Sequence, residues 1–129
     1  MTTPTDLIER LEGASVGSRE LDAAVWCALC PGGATYNASR KRVTYFDKSW
    51  ATIRDFEPST TSLDAALALA ARVLPGLGAW DVGHAFNAVP PYQARLVVVR
   101  EGNPEIFARA ATPALALCIA ILRASEQSK

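Results

Sequence analysis

Thr112-Pro113-Ala114-Leu115-Ala116-Leu117-Cys118-Ile119-Ala120-Ile121-Leu122 opens with a helix-start signature and then runs without a charge until Arg123. The Thr112 hydroxyl can take a free amide of the first turn, and Pro113 fills the one helical position where a missing N–H costs nothing. Beyond it the apolar residues go almost all the way round. Such a helix must be covered on more than one side. Two expectations follow: it is the central element of a layered domain, or a second subunit closes it and the protein is a homo-oligomer.

The chain of 129 residues reads as one domain, 1–129, long enough to bury a sizeable core. Half of its residues are hydrophobic and 20% are charged, a globular rather than a disordered composition. Equal numbers of acidic and basic residues give zero net charge, so no overall field draws in nucleic acid or a membrane. No apolar run reaches the roughly 20 residues of a membrane span, and Met1-Thr2-Thr3-Pro4 does not begin a secretory signal. A cytoplasmic protein without membrane partners is expected. Three cysteines, an odd number, point to reduced thiols.

Thr3, Pro4 and Asp6 start a first helix whose Leu7, Ile8 and Leu11 share a face until Gly13. Ser18 can cap a second, in which Leu21, Ala24, Val25, Ala28 and Leu29 recur at helical spacing until Pro31-Gly32-Gly33. Thr61-Ser62-Leu63-Asp64 reads as a capping box, with Thr61 as the cap, ahead of a stripe of Leu63, Ala66, Leu67, Ala70 and Leu74. Trp80, Val82, His84 and Phe86 alternate with polar or small residues as in a half-buried strand, with His84 on the apolar face. Leu96-Val97-Val98-Val99, apolar on both faces, marks Gln93 to Arg100 as the central strand. Glu101-Gly102-Asn103-Pro104 turns the chain into a third strand, Glu105 to Ala110. The predicted class is α+β: N-terminal helices plus a helix, a three-stranded antiparallel sheet, and a buried C-terminal helix.

Residues 34–58 break this pattern and read as an irregular basic and aromatic insertion, with a short strand from Val43 to Phe46. Within 40–54, Arg40, Lys41, Arg42, Lys48 and Arg54 stand against a single acid, Asp47, with Tyr45 and Trp50 among them and Tyr36 just before.

Three segments together carry a resemblance: Asp6-Leu7-Ile8-Glu9-Arg10-Leu11-Glu12 with Ser18-Arg19-Glu20-Leu21-Asp22-Ala23-Ala24, then Thr61-Ser62-Leu63-Asp64-Ala65-Ala66-Leu67, then Ala111-Thr112-Pro113-Ala114-Leu115-Ala116-Leu117-Cys118. In these the chain resembles the small bacteriophage and prophage proteins of the phage ABA sandwich domain family, over about half its length. The resemblance implies an α-β-α layered sandwich and a phage or prophage origin, hence the cytosol of a host cell. It implies no activity, and the 34–56 stretch departs from it.

No convergent catalytic set emerges, and no enzyme is expected. Cys27-Ala28-Leu29-Cys30 would need Cys118 and His84 as further ligands for zinc, and it lies at a helix end rather than the helix start that activates a redox thiol. Neither a metal nor a cofactor is expected. His84, the only histidine, reads as structural; an unfamiliar catalytic site pairing it with a carboxylate is the alternative. Gly76-Leu77-Gly78 follows a helix rather than a strand, so it lacks the setting of a phosphate loop. The helix, three-strand, helix order also suggests a duplex-RNA fold, but its phosphate-gripping place holds Ala111 to Leu115 without a cation, so double-stranded RNA is not expected.

Tyr36, Arg40, Lys41, Arg42, Tyr45, Trp50 and Arg54 remain as the candidate ligand site. Guanidinium groups fit phosphate bidentately and aromatic faces stack on bases, which points to an anionic, nucleotide-like ligand. A phage protein with such a site would sequester a host defence signal. A factor that binds a host or phage protein is the alternative, with the basic run only facing water.

Overall fold

The computed structural model describes residues 4–29, 34–37, 39–40, 42–45, 48–52, 58–74, 76–84, 89–98 and 105–127. The apolar run decides the architecture. It forms α4 (Pro113–Gln127), where Leu115, Leu117, Ile119 and Ile121 are fully buried together with Ala116, Cys118, Ala120 and Ala124. The Thr112 hydroxyl accepts the Leu115 N–H at 3.2 Å, the cap the sequence indicates. One side of α4 packs on β4 (Leu77–His84), β5 (Tyr92–Val98) and β6 (Glu105–Ala110). Against the other side lie α1 (Pro4–Gly13), α2 (Arg19–Leu29) and α3 (Leu63–Val73). Among the described residues, four helices and two small antiparallel sheets make the fold α+β, layered about α4. Since α4 is covered within one chain, its apolar circumference calls for no second subunit.

The β4–β6 sheet has the order β4-β5-β6, with β5 central as its sequence indicates. Ala94, Leu96, Val98, Ile106, Ala108 and Ala110 alternate along β5 and β6 and are buried against α4. Gln93, Arg95, Val97, Glu105, Phe107 and Arg109 take the other face, which is open to solvent in varying degree. There Arg95 bonds Asp81 at 2.7 Å and Glu105 at 2.9 Å, linking all three strands. All three groups are exposed, so the network contributes little stability. Of the expected strand residues, Phe46, Phe86, Val99 and Arg100 lie outside the described residues, as does the 101–104 turn.

The segment read as irregular contains a second sheet. β1 (Ala34–Asn37), β2 (Arg42–Tyr45) and β3 (Trp50–Thr52) form an antiparallel meander. Its strands are only three or four residues long, too short for alternation to stand out among charged and aromatic side chains. Lys48 closes the second hairpin at φ 70°, a left-handed conformation unusual for a residue with a Cβ.

Two further local expectations change. The α3 cap is Ser62, whose hydroxyl accepts the Ala65 N–H at 3.3 Å, not Thr61, whose hydroxyl turns back to the Pro58 carbonyl. β4 is mostly exposed rather than half-buried, because it forms the edge of its sheet: Trp80 is 47% exposed and His84 faces solvent, while Val82 reaches the core. Among the described residues, no helix is long and apolar enough to cross a membrane.

Candidate functional site

The β1–β3 sheet distributes the candidate ligand residues between its two faces. Strand pairing puts Ala34 opposite Tyr45 and Tyr36 opposite Val43, so both tyrosines share the inner face with buried Val43. That face meets α2, where the Trp26 indole N–H donates to the Tyr45 hydroxyl at 3.1 Å. The Tyr36 hydroxyl is buried and has no hydrogen-bond partner among the described residues. Its pKa lies above the ordinary tyrosine value, chiefly through burial, with Glu20 and Cys27 adding to the rise. Both rings thus pack in the sheet–helix contact and are only partly exposed.

The outer face differs. Arg42 and Trp50 project there from neighbouring strands, and the Arg42 guanidinium carbon stands 4.6 Å over the Trp50 ring centre. Trp50 is 56% exposed. Thr35, Asn37 and Thr44 share this face and are also exposed. Arg40, exposed, sits in the β1–β2 turn, where its N–H donates to the Asn37 side chain at 3.1 Å. Lys41 and Arg54 lie outside the described residues. From the candidate set the structure therefore brings Arg42 and Trp50 together, with Arg40 on the adjoining turn, and sets Tyr36 and Tyr45 behind them.

This arrangement suits capture of an anion. A guanidinium held over an indole ring brings forked N–H donors for phosphate or carboxylate oxygens close to an exposed aromatic surface of the kind on which bases stack.

The other candidate chemistry is dispersed. His84 packs edge-on against Tyr92, with ring centres 5.1 Å apart, beside a shallow hollow of about 150 Å³ lined by Asp81, Gly83, His84 and Gln93. The hollow brings a carboxylate near the imidazole but no serine or cysteine. Cys118 is buried in α4, where its thiol donates to the Ser59 carbonyl at 3.1 Å and burial pushes its pKa up to about 12. Such a thiol is neither a nucleophile nor a ready metal ligand. Cys27 is half-buried, and Cys30 lies outside the described residues. No group of three or more potential metal ligands converges among the described residues.

Sequence reading missed two features. One is a groove of about 510 Å³ over the β6 edge, lined by Glu12, Gln93, Phe107, Arg109 and Arg123, residues too far apart in the chain to be associated by spacing. The other is a polar knot beneath α2. Asp22, 1% exposed, accepts the Thr60 N–H at 2.8 Å and lies 2.5 Å from the Thr60 hydroxyl; Arg19 approaches at 3.3 Å. Its one signal was an acid standing between Leu21 and Val25 on a buried helix face.

No family model matches the chain, and neither does any curated protein or any solved structure.

Proposed function

We propose that this chain is a phage-encoded, non-enzymatic binding protein that captures an anionic small ligand bearing a flat ring, a nucleotide being the fitting class, and so withdraws a host defence signal. The phage origin rests on the sequence resemblance. The observation that carries the binding reading is the Arg42–Trp50 stack, a cation paired with an exposed aromatic on a solvent-facing sheet, with Arg40 on the turn beside it. A part-exposed guanidinium over an exposed indole is suited to an anion that carries its own ring.

Thermal unfolding in the presence of mono-, di- and cyclic nucleotides tests it. A ligand at about 100 times its dissociation constant stabilises the folded state by about 2.7 kcal/mol. The expected result is a rise in Tm confined to one nucleotide class, falling away at high salt and absent in Arg42→Glu. No rise across the panel overturns the ligand reading.

A second reading, an interaction factor for a host or phage protein, draws support from the exposed Phe107 ring, 47% accessible on the open face of the β4–β6 sheet. It expects Arg40→Glu with Arg42→Glu to leave small-anion binding unchanged, there being none.

A further inference from the structure

The four sheet edges are unequal. β1 and β3 are four and three residues long. β6 is guarded: Arg123 Nη1 donates to the Phe107 carbonyl at 2.8 Å, and α1 packs beside the strand. β4, eight residues long, pairs only with β5 among the described residues. It has no lysine and no proline, the usual means of keeping an edge unpaired, and its one charge, Asp81, is held by Arg95 on its own sheet. Trp80 stands half exposed along it.

We propose that two copies of this chain pair through β4, antiparallel about a two-fold axis at Val82, joining their β4–β6 sheets into one of six strands. The residues of β4 select both the partner and the register. Side chains that meet across an antiparallel pair lie on one face, so the axis must pass through a residue position. An axis at Asp81 sets the two Asp81 carboxylates against each other, which repel. An axis at Trp80 engages Gly78, where a bulge between Leu77 and Ala79 breaks the register with β5. An axis at Gly83 pairs only 82–84 among the described residues of β4.

The axis at Val82 uses the regular part of the strand beyond the bulge. It sets Trp80 against His84 of the second copy and His84 against its Trp80, with Val82 meeting Val82 between them, and leaves Asp81 opposite a glycine. Aromatic and β-branched cross-strand pairs of this kind stabilise antiparallel sheets. A second copy fits better than an unrelated extended peptide because the strand is complementary to itself about that point.

Directly opposed antiparallel residues have Cα atoms about 4.5–5.5 Å apart, within reach of a disulfide. Single cysteines placed at 80, 81 or 82, in a chain carrying Cys27→Ser and Cys30→Ser, therefore report the axis. Under mild oxidation Val82→Cys should form a covalent dimer, whereas Trp80→Cys and Asp81→Cys should not, with circular dichroism verifying that each variant is folded. Light scattering of the unmodified chain at micromolar concentration should give twice the chain mass, and Trp80→Lys should return it to one. A monomeric mass for the unmodified chain, or cross-linking equal at all three positions, overturns the proposal.

Discussion

Thr60→Val tests the polar knot that fixes the 58–62 turn under α2. Thr60 is fully buried, and its hydroxyl serves Asp22 and Ser18: its one proton goes to Asp22 Oδ1 at 2.5 Å, a nearer acceptor than the Ser18 carbonyl at 3.0 Å, and its oxygen accepts the Ser18 N–H at 3.1 Å. Valine keeps the shape and removes both. A hydrogen bond to a charged group contributes about 1.5–3 kcal/mol, and a part-buried N–H left unpaired costs about 1 kcal/mol more. Asp22 retains the Thr60 N–H and Arg19, which favours the lower part of the range, about 3 kcal/mol in all. With the typical unfolding entropy per residue, each kcal/mol is worth about 4 °C in a chain of this length, so Tm should fall by about 12 °C. Scanning calorimetry of Thr60→Val beside Thr60→Ser, which keeps the hydroxyl, makes the measurement. A Thr60→Val Tm close to that of the parent chain, or an equal fall in Thr60→Ser, would refute the assignment of the stability to the hydroxyl.

Gly17→Ala should destabilise through the same knot, because a Cβ there would strike the Thr60 carbonyl; a lowered denaturation midpoint in urea checks it. Leu117→Ala, deep in α4, should cost about 2–5 kcal/mol by chemical denaturation, whereas the same change at a half-exposed apolar site costs far less. The Cys118 thiol, raised to about 12 from an ordinary 9.0, keeps its proton in the folded chain while the unfolded chain loses it. The stability this contributes is whole below pH 9 and is lost as pH rises towards 12, so Cys118→Ala should flatten the alkaline fall in Tm. In the native protein a thiol reagent at pH 8 should modify Cys27 well before Cys118, as mass spectrometry of the labelled chain would read directly.

The sequence carries the helices and the β4–β6 sheet because their signals are local and repeated. Ser18 and Thr112 cap where their hydroxyls stand, and Glu105 to Ala110 alternates without a break. The α3 cap slipped by one residue because Thr61 and Ser62 are both competent, and the choice is made by the Pro58 carbonyl, which engages Thr61. The exposure of His84 was not legible because alternation marks a face, whereas exposure depends on whether a strand ends up at an edge, and among the described residues β4 pairs only with β5. The candidate ligand set was recognised by composition, which cannot assign side chains to the two faces of a sheet whose strands are three or four residues long. Pairing does so, sending Tyr36 and Tyr45 inward and Arg42 and Trp50 outward.

The three tryptophans stand in different surroundings: Trp26 at the α2–sheet contact, Trp50 on the outer face of the β1–β3 sheet, and Trp80 on the β4 edge. Their indole N–H signals in a ¹H–¹⁵N spectrum, followed while a nucleotide is added, test the binding reading most directly. Capture at the Arg42–Trp50 stack requires the Trp50 signal to move and saturate while those of Trp26 and Trp80 stay in place, and Arg42→Glu to abolish the movement. Saturable shifts confined to Trp80, or no shift with any nucleotide class, would contradict it.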